Sequence, residues 1–144
     1  MAIGFQVTFD CADPDRLARF WAQVLGYKLQ EPPEGYATWQ DWLRDRGIPK
    51  ERWNDRGAIV DPDGRRPRVF FQKVPEGKTA KNRVHLDVNV SGGLAVPLEQ
   101  RRKEVDAAVE RLVAAGATKI GAVEELGGYH VVMRDIEDNE FCLQ

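Results

Sequence analysis

Histidine and cysteine are scarce, each occurring only twice in 144 residues. The cysteines, Cys11 and Cys142, form no metal or redox motif and no disulfide framework, so reduced thiols are expected. No hydrophobic run approaches the roughly 20 residues of a membrane span. An excess of one charge is also lacking: 21 Lys and Arg face 23 Asp and Glu, a formal net charge of −2. That balance speaks against a nucleic-acid binder dominated by phosphate contacts. The arginine clusters "GRRPR" and "EQRRKE" are read as a solvated turn and a solvated helix start. "MAIGFQVTFD" enters a strand pattern directly, with no basic stretch or long apolar segment of a secretory leader. A soluble cytoplasmic protein is expected, with neither nucleic-acid nor membrane partners.

What is present is alternation and amphipathic helix. "FQVTFD" sets Phe5, Val7 and Phe9 against Gln6, Thr8 and Asp10. "ADPDR" is a helix start, with Asp13 as cap and Pro14 in the first turn. The stripe Leu17, Phe20, Trp21, Val24 and Leu25 follows, and Gly26 stops it. "YATWQDWLRDRGIPKERW" reads as a loop, a short helix, a glycine break and a Pro-initiated turn. "AIVDPDG" and "PRVFFQKV" are strands, and "PEGKTAKN" is a polar connection. The pattern then restarts. "RVHLDVNV" is a strand with Val84, Leu86, Val88 and Val90 inward. A helix carries Val105, Ala108, Val109, Leu112 and Val113, and three strands close the chain. Each half thus runs strand, helix, about three strands. Two βαβββ units in tandem imply an α+β fold with curved mixed sheets.

The repeat makes polar positions comparable. The first strands of the halves offer Gln6 and His85, and the last strands offer Gln72 and Glu140. All four can ligate a metal ion, and they converge if the sheets form a cup. His85 alone, on a strand, would more often be a hydrogen-bonded structural histidine, and Gln6, Gln72 and Glu140 have equally plain readings as sheet-surface residues.

The stretches "VTFDCADPDRLARFWAQVLGYKL", "VDPDGRRPRVFFQKVPEGKTAKNRVHLDV" and "VVMRDIEDNEFCLQ" resemble the vicinal oxygen chelate superfamily, whose members include glyoxalase I, methylmalonyl-CoA epimerase, extradiol dioxygenases and bleomycin-resistance proteins. The closest resemblance is to actinobacterial-type glyoxalase-like domain proteins. It implies one glyoxalase-like domain over residues 1–144, with module one about 1–78 and module two about 82–144, around a cup-shaped site. The superfamily's four metal positions fall on Gln6, Gln72, His85 and Glu140. Gln72 departs from glyoxalase I, which has Glu there, and an amide takes no proton near neutral pH. Glu140 is therefore the expected proton acceptor as well as a ligand. "DIEDN" departs from a DPxGN-like turn. The donor set suits a divalent ion such as Ni, Co, Zn, Mn or Fe. Asp87 is expected to orient His85, and Asp10 to act near Gln6. Many relatives are homodimers, and a homodimer is expected.

Tyr36, Trp39 and Trp53 sit in an insertion unique to the first half. They are read either as packing that covers a sheet edge or as an aromatic wall for a substrate. Two functions follow from the resemblance. The first is a metal-dependent lyase or isomerase that acts on a small carbonyl compound through an enolate-type intermediate. The alternative is a non-catalytic protein of bleomycin-resistance type that binds or sequesters a small molecule.

Overall fold

A computed structural model describes residues 1–144. The chain divides into two compact units, Met1–Gly77 and Lys78–Gln144. The first contains β1 (Val7–Cys11), α1 (Pro14–Leu25), β2 (Lys28–Leu29), α2 (Trp39–Asp45), a 3₁₀ turn (Lys50–Arg52), β3 (Arg56–Val60) and β4 (Val69–Lys73). The second contains β5 (Asp87–Val88), a 3₁₀ turn (Gly93–Ala95), α3 (Leu98–Ala114), β6 (Thr118–Glu125), β7 (Gly128–Arg134) and β8 (Glu140–Leu143). The sheets are mixed and four-stranded, ordered β1-β4-β3-β2 and β5-β8-β7-β6. In both, the first and last strands of the unit pair in parallel and the remaining pairs are antiparallel. The expected α+β tandem of βαβββ modules is what the chain forms.

Local chemistry sets the helices. The Asp13 carboxylate accepts from the Arg16 amide at 3.2 Å, Pro14 occupies the first turn, and Gly26 closes α1 in the left-handed region. Asn54 strengthens this start. Its side-chain nitrogen donates to Asp13 at 2.8 Å, and its oxygen accepts from the Asp15 amide at 2.9 Å. The Asn54 hydrogen bond is the main reason the Asp13 carboxyl is held below its ordinary value. Leu17, Ala18, Phe20, Trp21 and Val24 are buried on α1, as are Ile59, Val69 and Phe71 on its sheet. Gly57 permits the close approach: a Cβ there would lie 3.3 Å from the Pro14 carbonyl oxygen. In the second unit, Val105, Ala108, Val109 and Leu112 of α3 are buried, with Val131, Met133, Phe141 and Leu143 of the sheet. Val113, expected on that stripe, lies at its margin and is 46% exposed.

The only buried polar or charged residues, Asp61 and Asp135, occupy matching places in the repeat. Each precedes the last strand of its unit, and each accepts from the amides of the turn that follows. Asp61 takes those of Asp63, Arg65 and Arg66. Asp135 takes those of Glu137 and Asn139. The fourth residue of each turn is left-handed, Gly64 at φ 67° and Asp138 at φ 68°. The departure from a DPxGN-like turn therefore keeps its backbone path and places a side chain where glycine is favoured. Replacing Asp138 with glycine is expected to raise stability by about 0.5–1 kcal/mol, read as a higher midpoint in urea.

Two strands are shorter than their alternation predicts. β1 begins at Val7, leaving Phe5 73% exposed. β5 comprises only Asp87 and Val88, and Val84 is 81% exposed rather than packed inward. His85 accordingly lies just before the strand.

Candidate functional site

In the first unit, the β1/β4 register separates the two glutamines. Val7 pairs with Val69 and Asp10 with Gln72, and the Val7 amide bonds the Arg68 carbonyl at 3.2 Å. Gln6 is therefore level with Arg68, and Gln72 is level with Asp10. Four residues of strand put these rows about 13 Å apart at ~3.3 Å per residue. Asp10, rather than Gln6, is the ladder partner of Gln72. Gln72, exposed, has Arg56 on its other side.

The side chain that meets Gln6 is Arg68. Its Nη1 donates to Gln6 Oε1 at 3.0 Å and its Nε to Gln30 Oε1 at 2.7 Å. The guanidinium lies over the Phe70 ring, 5.1 Å from the centroid. Within the GRRPR cluster, Arg65 and Arg66 are exposed, as a solvated turn requires, but Arg68 is half-buried.

In the second unit, Asp87 pairs with Cys142 across the parallel β5/β8 ladder, which sets His85 level with Glu140 two residues earlier. Their side chains turn to different partners. His85 Nε2 lies 3.1 Å from Asp87 Oδ1. Glu140 Oε2 accepts from Lys78 Nζ at 2.9 Å and from the Asn82 amide at 3.0 Å. The Asn82 amide, followed by the Lys78 ammonium, holds the Glu140 carboxyl down to about 2. Such a carboxylate is a stable anion but a weak proton acceptor near neutral pH, because good bases titrate close to the working pH. Burial and the neighbouring Asp87 carboxylate push the Cys142 thiol up, which leaves it protonated and unreactive. Even so, donor atoms of His85, Asp87 and Cys142 all lie within 4.8 Å of one another, a grouping of the kind that can hold a metal ion.

Lys78 and Asn82 escaped the sequence reading, which treated "PEGKTAKN" as a connection. Their partner lies far along the chain, and the only local hint was two lysines and an asparagine just before the histidine strand.

Gln6 Oε1 accepts from Arg68 and Glu140 Oε2 from Lys78, so one oxygen of each residue already bonds a protein cation.

The aromatic insertion is tied to its own backbone. Trp39 Nε1 donates to the Gln30 carbonyl at 2.7 Å and Trp53 Nε1 to that of Ile48 at 2.9 Å. The Tyr36 hydroxyl donates to Asp45. Trp39 packs edge-on against Trp42 at 5.6 Å, and the Arg44 guanidinium lies over Trp53. All three residues are half-buried, with their polar atoms committed.

The family model for the glyoxalase-like domain matches residues 6–144. No curated protein matches. Among solved structures, a glyoxalase/bleomycin resistance protein/dioxygenase family enzyme from Burkholderia phytofirmans PsJN is similar at 18% identity and TM-score 0.63, over 96% of this chain and 94% of that one. A mutant of the fosfomycin resistance protein FosX from Listeria monocytogenes, complexed with Mn(II) and 1S,2S-dihydroxypropylphosphonic acid, is similar at 12% identity and TM-score 0.64, over 100% and 90%. A glyoxylase/bleomycin resistance protein/dioxygenase domain from Frankia sp. EAN1pec is 17% identical at TM-score 0.60, over 99% and 96%. At such identities the likeness is one of fold. The family match, spanning nearly the whole chain, shows that this protein belongs to the glyoxalase-like domain family.

Proposed function

We propose that this protein is a metal-independent small-molecule binder of the sequestering kind, rather than a metal-dependent lyase or isomerase. The observation that carries the reading is the occupancy of two expected ligands by side-chain cations. Lys78 bonds Glu140 at 2.9 Å and Arg68 bonds Gln6 at 3.0 Å. A metal ion needs those oxygens, and like charges within a few ångströms repel. Gln72 adds no anion to compensate, and Glu140 is too weak a base for the expected proton abstraction. On this reading Tyr36 and Trp39 offer ring faces to a ligand, and Trp53 the face that Arg44 does not cover. The expected homodimer belongs to the same proposal and is checked by light scattering.

The test is metal content and its effect on stability. A resident ion stabilises the native state by mass action, about 2.7 kcal/mol at a hundredfold excess over its dissociation constant. Protein purified without chelator should contain far less than one equivalent of transition metal, and its melting temperature should not move with EDTA. A full equivalent of metal, lost in both His85→Ala and Glu140→Ala, would overturn the proposal.

The metal-dependent reading keeps one observation in its favour, the grouping of His85, Asp87 and Cys142. It requires the Cys142 thiol to ionise, against both its burial and the adjacent Asp87 carboxylate. Isomerase or lyase turnover of carbonyl substrates that appears only with added Ni²⁺ or Co²⁺, and disappears in Cys142→Ser, would establish it.

A further inference from the structure

We propose that Arg68 is the anchor for an oxyanion, a carboxylate or a phosphate, on the small molecule that this protein binds. The inference rests on the binding function proposed above and names the ligand's charged end.

The argument begins with what holds the guanidinium. Gln30 and Gln6 each supply a neutral amide oxygen to it, and Phe70 supplies a ring face. None of these partners is an anion, and no carboxylate forms an ion pair with Arg68. Arginine remains charged at any accessible pH. A half-buried cation that meets only dipoles has lost part of its hydration without gaining a counter-charge. Arg56, on β3 of the same unit, is by contrast exposed to solvent.

Geometry supplies the second step. A guanidinium has five N–H donors in a planar fork, suited to two parallel bonds with an oxyanion. Only one Nε and one Nη1 bond are used internally. Nη2 and the second Nη1 hydrogen remain for an external acceptor. The two glutamines and the ring fix the fork before a ligand arrives, which lowers the entropic cost of recognition. Gln6 and Gln30 act here as positioning residues: their oxygens aim Arg68 and do not themselves attract an anion. The face concerned is built from paired strands, with Arg68 leading directly into β4 and Gln6 directly into β1, so the fork stands on a rigid support.

Nuclear magnetic resonance on the full chain tests this, with acetate and inorganic phosphate as separate probes and ionic strength held constant with chloride. The Arg68 Nε–H signal should shift saturably with at least one probe, and the Gln6 side-chain amide should follow it. The Arg56 signal should drift weakly and linearly. Comparing the two probes shows whether the site prefers a carboxylate or a phosphate. Arg68→Gln should abolish the saturable shift at the Gln6 amide. Arg68→Lys keeps the charge but loses the fork, and should raise the half-saturation concentration about tenfold. Equal, linear drifts of Arg68 and Arg56 would overturn the proposal, as would a saturable Gln6 shift that survives in Arg68→Gln. Metal content decides the binding function separately. A stoichiometric ion alongside a saturating Arg68 would remove that function and leave the anion anchor standing.

Discussion

Trp21→Ala is expected to lower stability by about 3–5 kcal/mol, the range for truncating a large aromatic side chain in a packed core. Trp21 is 0% exposed. Its ring lies 4.9 Å from that of Phe9 and meets Phe20 edge-on at 6.0 Å, so the substitution removes both contacts and leaves a cavity lined by rigid neighbours. The backbone around it has little freedom to collapse. Gly57 already brings the start of α1 against β3 at van der Waals distance, and Asn54 ties the same helix start to the segment before β3. For a chain of this length the loss corresponds to roughly 10–15 °C in melting temperature. Chemical denaturation followed by circular dichroism gives the free energy directly. Trp21→Phe should lose clearly less, because it retains a ring against Phe9. A loss below about 1 kcal/mol in Trp21→Ala would mean that α1 is not anchored through this side chain.

The same tryptophan illustrates what was legible in the sequence. α1 announces itself through local chemistry: an acidic cap, a proline at the first turn, an apolar stripe and a glycine stop, all within 14 residues. The order of elements along the chain was legible because the repeat doubles each weak strand signal. Two strand starts were not, and the reason is the partner rather than the strand. Alternation in "FQVTFD" continues back to Phe5, but a ladder needs a neighbour, and β4 begins only at Val69, after Pro67, which has no amide to donate. Val84 alternates as regularly as Val88, yet β8 begins at Glu140, and the chain before His85 is turned aside by the bonds of Lys78 and Asn82 to that carboxylate.

The candidate site was legible in part, for a related reason. His85, Asp87 and Glu140 were visible because a strand pattern puts polar residues on a known face. Their cationic partners were not, because nothing local distinguishes Lys78 from a solvated lysine or Arg68 from the arginines beside it. Both contacts, Arg68 with Gln6 and Lys78 with Glu140, join residues 62 apart in sequence. Contacts over that distance are decided by the tertiary fold; a shift of one residue in the β1/β4 ladder would carry Gln6 out of line with Arg68.

The Lys78–Glu140 pair gives the second large effect, which also separates the two functional readings. The Glu140 carboxyl falls from an ordinary 4.5 to about 2 in the folded protein, first through the Asn82 amide and then through Lys78. A depressed carboxyl stabilises the native state above its unfolded value, and that stabilisation is lost as pH falls through the folded value. The loss therefore lies between pH 4.5 and about 2. Converted directly at ~1.4 kcal/mol per pH unit, the shift overstates the effect. Water reaches both partners, with Glu140 12% and Lys78 23% exposed, and screening reduces the contribution to about 1–2 kcal/mol. Glu140→Gln should lose that amount at pH 7 and show a flatter decline on acidification, as measured by denaturant unfolding at a series of pH values. An equally steep acid limb would mean that the carboxylate is not engaged as described. Lys78→Met removes the ammonium and leaves Glu140 an unpaired anion level with His85. Added Co²⁺ should then raise the melting temperature of Lys78→Met while leaving the native protein unchanged, because only the variant has freed its carboxylate for a metal. If the native protein is stabilised as strongly as the variant, Lys78 does not hold the metal position closed and the metal-dependent reading gains the ground.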